Sequence, residues 1–204
     1  MPGNPDVRRR TQQERREATI AKLIDATIES IVEDGYYRTS VAAISERAGL
    51  SGGAMFRHFS TRMELMARVA EEISERALTA AHAMVEPVRS AADPLHAATE
   101  LLAGLTRSPL VAAWHELMVA ARTDAELRAQ IAPALPKFYD AIYRIADSLG
   151  VLEPLPEPMR EIALFSMVHM FSGAALTGSV HPRPDLDAQR IPLAAWYFQH
   201  TPDL

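Results

Sequence analysis

Apolar residues recur along most of this chain at three- and four-residue spacing, the period of helices that bury one face. Ile20, Leu23, Ile24, Thr27, Ile28 and Ile31 mark the inner face of a helix over Glu14–Asp34, and Gly35 can end it. Val41, Ile44 and Ala48 repeat the pattern over a shorter run. Thr39 and Ser40 stand just before that run, where side-chain oxygens cap a helix. Gly49 can take the left-handed conformation that closes it, and Leu50 plugs the turn. Ser51 caps again, and Gly52–His58 is predicted as a second short helix with Met55 and Phe59 turned inward. A longer helix follows over Thr61–Val85. Its apolar positions Leu65, Val69, Ile73 and Ala77 recur every four residues, and Pro87 ends it.

The remainder reads as helix throughout. Asp93-Pro94 opens a helix to about Leu105, and Ser108-Pro109 opens another to Arg122. Thr123 and Asp124 cap a long segment, Ala125–Leu149, in which Pro133 and Pro136 each remove a backbone donor and predict a break. Gly150 ends it, and residues 151–158 are a Pro-rich connector. Ile162–Leu176, within a helix from Pro158 to about Gly178, is apolar on nearly every face and must be covered all round, most simply by a second subunit. After a turn over residues 181–187, Asp187 is expected to cap a last helix ending near Gln199, with Pro192 in its first turns. The fold class is therefore all-α.

The pair of short helices around Gly49 has two readings. Two helices joined by a tight Gly-containing turn form a helix-turn-helix, whose second helix enters the DNA major groove. The same spacing also suits an ordinary helical hairpin in an all-helical core. Residues 35–65, GYYRTSVAAISERAGLSGGAMFRHFSTRMEL, separate the two. Gly35-Tyr36, Thr39-Ser40-Val41, Ile44, Ala48-Gly49-Leu50-Ser51, Gly53, Phe56, His58-Phe59 and Arg62 stand at the spacings of the DNA-binding head of TetR-family transcriptional regulators, which this stretch closely resembles. The resemblance covers roughly the first third of the chain. It implies a three-helix head over residues 12–60, a linking helix over 61–85, and a ligand-binding and dimerisation body over 61–204. It also implies a homodimeric, sequence-specific DNA-binding regulator, in the reading adopted here a repressor released by a small effector. Two departures stand out. The family usually carries Tyr where this chain has Phe56, which keeps the ring and loses a phosphate-reaching hydroxyl. It often carries Lys or Arg where this chain has Gly52, so Gly52-Gly53 weakens the second helix by roughly 1 kcal/mol per glycine relative to Ala.

Charge sharpens this picture. The chain of 204 residues carries a formal net charge of −5, divided as +2 over residues 1–62 and −7 over 63–204. A mildly basic head on an acidic body suits a protein that meets DNA at one end. Residues 1–11 hold Arg8, Arg9 and Arg10 and form a basic arm able to lie along phosphates. The sequence contains no cysteine, which excludes disulfides and thiolate metal sites and fits a cytoplasmic protein. No stretch reaches the roughly 20 apolar residues of a membrane span.

Candidate chemistry follows. Thr39, Ser40, Ser51 and His58 are expected to position phosphates, and Arg57 to read a base edge. Gly52, Gly53 and Phe56 lie between them, and Arg62 adds charge at the start of the next helix. Soft and aromatic residues in the body, Trp114, Met118, Phe138, Tyr139, Tyr143 and Phe165, together with His115 and His169, are candidates for an effector pocket; core packing alone also accounts for them. An apolar effector, neutral or cationic, suits the acidic body. Ile162, Met170, Phe171, Gly173, Ala174, Ile191, Ala195 and Phe198 are candidates for a dimer interface, which would demand a pseudo-palindromic operator. His96/Glu100 and His115/Glu116 are half-sites at most; without an HExxH or clustered His/Asp motif, no metal and no cofactor is expected. Nor is there a nucleophile elbow, a phosphate loop or a dinucleotide fingerprint, so no catalytic residue is assigned. An effector-free architectural DNA-binding protein and an enzyme on a helical body are the rival classes.

Overall fold

The computed structural model describes residues 11–199, so Met1–Arg10, most of the expected basic arm, lies outside it. Every regular element among the described residues is helical. Helix α1 (Gln12–Asp34) starts two residues earlier than the apolar spacing implied, because Thr11 forms a capping box. The Thr11 hydroxyl accepts from the Glu14 N–H at 3.2 Å, and Glu14 Oε2 accepts from the Thr11 N–H at 2.7 Å. Gly35, at φ +80°, ends the helix. Helix α2 (Val41–Arg47) is capped by Ser40, whose hydroxyl accepts from the Ala43 N–H at 3.2 Å. Thr39 does not share that role. It is buried, and its hydroxyl donates to the Gly35 carbonyl at 2.9 Å. Gly49, at φ +65°, reverses the chain.

The second short helix is cut back. Residues 52–54 form a turn, and only Met55–Arg57 closes a single 3-10 turn. The consecutive glycines lower helix propensity at the positions where the first turn would nucleate. Met55 and Phe59 are buried as expected and anchor the turn.

Helix α3 (Arg62–Ala83) breaks at Met84, three residues before Pro87. Pro87 falls inside a short α4 (Val85–Arg89), among the first positions of a helix, whose N–H groups lack intrahelical partners anyway. Asp93 and Ser108 cap α5 (Pro94–Thr106) and α6 (Pro109–Ala121). The proline break appears as expected: α7 (Ala125–Ile131) and α8 (Leu135–Ser148) are separated by a 3-10 turn at Ala132–Ala134. Helix α9 spans Glu157–Gly178. Helix α10 spans Pro184–Gln199, so Asp187 is not its cap and Pro192 sits well inside it. Asp187 instead pairs with Arg190 one turn on.

One buried cluster crosses the boundary between the first helices and the rest. It joins Leu23, Ile31, Ile44, Met55 and Val69 to Trp114, Leu117, Leu127 and Ile131. Two smaller clusters hold α5, α8, α9 and α10 together. They correct part of the expected dimer surface. Phe171 is buried against Ala103 and Ala194, with Met170 and Ile191 packed on that cluster, and Phe198 is buried against Leu164 and Ala163. The reason is that α10 lies along α5 of the same chain and covers one side of α9 from within. The opposite side of α9 remains open. Ile162, Ser166, His169, Gly173, Leu176 and Val180 recur at alternating four- and three-residue spacing and are all exposed, Val180 to 88%. Ala174 and Ala195 are half-buried.

Arg62 is the point on which the segment before α2 is fixed. Its Nε donates to the Thr39 carbonyl, its Nη1 to the Tyr36 hydroxyl and its Nη2 to the Tyr36 carbonyl, each at 3.0 Å. The guanidinium also stands 4.5 Å above the Tyr36 ring. Replacing it with Ala strips donors from two carbonyls at once. We expect Arg62→Ala to lower unfolding free energy by about 2–4 kcal/mol in urea denaturation. A loss below about 0.5 kcal/mol, the size of an ordinary surface change, would show the network to be dispensable.

Candidate DNA interface and internal cavity

Around the α2–α3 turn, Ser40, Ser51, Gly52, Gly53, Phe56 and Arg57 are exposed together on a short stretch of backbone. Arg57 has no side-chain partner among the described residues, which leaves its guanidinium available to a ligand. Phe56 is 57% exposed, an unusual position for a phenyl ring with nothing to cover it. Side chains added at Gly52 or Gly53 would meet no atom within 4 Å, and neither glycine has positive φ. Nothing in the chain's own packing therefore requires glycine at either position. Their bare backbone is a surface property that lets a partner approach closely.

Three predicted contacts are placed differently. Thr39 is buried and bonded to Gly35, so its hydroxyl does not face outward. Arg62 spends its donors on Thr39 and Tyr36 rather than on solvent. His58 is half-buried, with Nδ1 enclosed and lacking a partner among the described residues. The expected charge at the start of α3 is thus an internal clamp, its donors taken up by the Thr39 and Tyr36 carbonyls and the Tyr36 hydroxyl.

The clamp extends into the body, which spacing alone did not reveal. The Tyr36 hydroxyl donates to Asp124 Oδ2 at 3.3 Å, while Asp124 Oδ1 caps α7. Burial pushes the Tyr36 phenol above its ordinary value, with Arg62 opposing. It therefore stays protonated and able to donate. The Tyr36 N–H donates to Glu116 Oε2 of α6 at 3.3 Å, and the Tyr37 hydroxyl lies 3.2 Å from that of Thr123. The segment ahead of α2 is thus tied to α6 and to the α6–α7 corner by side chains.

On its other side α6 borders a cavity of about 400 Å³. The cavity is bordered by α3, α5, α6, α8 and α9, with Phe198 of α10 also in its lining, and it opens beside His169, Gly173 and Leu176, which are exposed on α9. Trp114, His115, Met118, Phe138, Tyr139 and His169 line it. Trp114 and Phe138 pack with their rings tilted by 49° and their centres 5.3 Å apart. Tyr143 and Phe165 do not line it; they pack against the α8–α9 cluster, with Phe165 edge-on to Tyr139 at 4.8 Å. Gly173 also faces the cavity. No Asp, Glu, Lys or Arg is in the lining. Burial lowers the His115 imidazole below its ordinary value, which keeps it neutral at neutral pH. His96 Nε2 lies 3.5 Å from Glu100, and no group of three potential metal ligands occurs among the described residues. None of the helices described is long and apolar enough to cross a membrane.

The sequence model for bacterial regulatory proteins of the tetR family matches residues 23–69, which hold most of α1, the turn and the start of α3. An uncharacterised HTH-type transcriptional regulator of Mycobacterium tuberculosis is 40% identical over 184 residues, covering 90% of this chain and 94% of its own length. The chain belongs to the TetR family of transcriptional regulators. Among solved structures, a Rhodococcus transcriptional regulator superposes with a TM-score of 0.70 at 21% identity, over 91% of this chain and 98% of its own. A regulator from Saccharomonospora viridis in complex with choline superposes with a TM-score of 0.66 at 13% identity, over 93% and 97%. These two likenesses establish the fold, a helix-turn-helix head on a helical body.

For this TetR-family chain the glycine pair gives a separable expectation. Gly53→Ala should raise unfolding free energy by about 0.4–1 kcal/mol, because the alanine restricts the unfolded chain and meets open space when folded. The same change should weaken DNA binding in a mobility-shift titration. Unchanged DNA affinity would mean that the bare backbone serves no close contact.

Proposed function

We propose that the chain is a homodimeric repressor whose head, residues 12–60, grips one half of a pseudo-palindromic operator and is released when an apolar effector enters the α3–α6–α8 cavity. One observation carries the reading: α6 borders the cavity with Trp114, His115 and Met118, while its Glu116 holds the Tyr36 N–H of the head. A ligand that displaces α6 therefore acts on the head directly. The linking helix α3, which contributes Ile73, Ala77, Leu78 and Ala81 to the same cavity, offers a second route. Ligand binding shifts the population only as far as the two arrangements differ in affinity for it. The cavity provides hydrogen-bonding groups but no carboxylate, so of the neutral or cationic effector expected, only the uncharged apolar body is retained.

Base reading falls to Arg57, and phosphate contacts to Ser40 and Ser51, the exposed hydroxyls beside the turn. The exposed α9 stripe supports dimerisation. Exposed Leu193 of α10 adds apolar surface, and a surface of this kind calls for a partner.

Because Trp114 is both cavity wall and buried core, Trp114→Ala would confound folding with binding. Ala98, half-buried on the cavity wall, is the better probe. Ala98→Phe should fill the space and abolish effector release while leaving effector-free operator binding intact. In the same binding assay Arg57→Ala should cost about 1–3 kcal/mol on the operator and far less on random DNA. Equal losses on both DNAs would demote Arg57 to a phosphate contact, and full release of Ala98→Phe by effector would place the effector elsewhere. For the dimer, Leu176→Glu combined with Val180→Glu should yield a folded monomer in sedimentation velocity. A dimer that survives both charges would move the interface off this stripe.

A further inference from the structure

A second cavity, of about 460 Å³, lies where Val32 of α1, the start of α6 and the end of α9 meet. Thr106, His115 and Leu176 line both cavities, so the two chambers share a wall made of these side chains. Their chemistry differs sharply. The inner chamber holds no charged group, whereas the outer one holds Arg107, Glu116, Asp187 and Arg190. Three of these four are already engaged: Glu116 with the Tyr36 N–H, and Arg190 with Asp187. Arg107, immediately after Thr106 at the end of α5, is exposed; its backbone N–H closes the helix, and its guanidinium has no partner among the described residues.

We propose that the effector is an amphipathic carboxylic acid, its apolar chain in the inner chamber and its carboxylate beyond the Thr106–His115–Leu176 wall on Arg107. The inference rests on the inner chamber being the effector site, and it adds the polar end of the ligand. A carboxylate held wholly within the inner chamber would face an almost wholly apolar lining with no counter-ion, which is unfavourable. Arg107 offers the planar fork that binds a carboxylate through two parallel bonds. An ammonium end would meet Arg107 as a like charge, with Asp187 already paired to Arg190. An alcohol would fill the inner chamber and gain nothing from Arg107. The bound carboxylate would also lie in the chamber that Val32 and Glu116 share, at the seam where the head meets α6.

The test is calorimetric titration of the full chain with decanoate, decanol and decylamine at neutral pH. Decanoate should bind at least about tenfold more tightly than decanol, the size of a charge-assisted hydrogen bond. Arg107→Gln should abolish that difference while leaving decanol within about twofold, since a loss confined to the acid isolates the ion pair. Arg107→Lys should keep part of the preference. Equal binding of acid and alcohol, a decanoate affinity unmoved by Arg107→Gln, or tighter binding of decylamine would each overturn the proposal while leaving the inner chamber as a ligand site. Failure of all three probes to bind would remove the inner-chamber reading and this inference with it.

Discussion

One guanidinium holds the segment that leads into the helix-turn-helix and ties it to the body. Gly35 ends α1 and Ser40 begins α2, and between them lies one 3-10 turn, Tyr36–Arg38, closed by the Thr39 N–H donating to the Tyr36 carbonyl. Arg62 supplies donors to the carbonyls of Tyr36 and Thr39 from the first turn of α3. It fixes the Tyr36 hydroxyl as well, and Tyr36 passes that constraint to Asp124 and so to the start of α7. A surface ion pair would hold this far less firmly, because solvent competes for both partners. Here the partners are backbone carbonyls and a buried phenol, and the geometry is set from several directions at once.

This explains why α6 is central to the molecule. Its two faces serve different neighbours: Ala113, Leu117 and Ala120 join the core beneath α1 and α3, while Met118 borders the cavity. Trp114 takes part in both. A displacement of this helix by a bound molecule cannot stay local, since the interior is close-packed and the polar contacts to Tyr36 leave along the same element. Coupling over so short a path requires no disordered intermediate and no long lever.

Much of the fold was legible because helix ends are written in single residues. Asp93, Ser108 and Asp124 at N-caps, and Gly35, Gly49 and Gly150 at positive φ, fall where local chemistry places them. The cavity was partly legible too: Trp114, Met118 and Phe138 stood out as soft and aromatic residues, although the spacing alone did not separate a cavity wall from core packing. What could not be read was the identity of the neighbour. Thr39 and Arg62 have the composition of a DNA contact, and only the folded chain reveals that each is consumed by a carbonyl nearby. Phe171 and Phe198 suit a subunit interface equally well, but α10 folds back on α5 and satisfies them within one chain. The α10 start was missed because Pro184 opens the helix at a position where its lost donor costs nothing, ahead of the more conspicuous Asp187.

The buried cluster that runs from Leu23 and Ile44 through to Leu117 and Ile131 bears on modularity. A head of this kind is often pictured as an exchangeable part, joined to its body through one helix. In this chain the two share a hydrophobic interior and a polar clasp. A foreign head grafted at residue 60 would therefore have to reproduce the shape beneath Leu117 and Leu127, and would also need a tyrosine in the place of Tyr36 to meet Asp124. Gly52, Gly53, Phe56 and Arg57 are exposed and lie outside that shared interior. The exposed turn is thus free to vary, while the scaffold that presents it is bound to its own body.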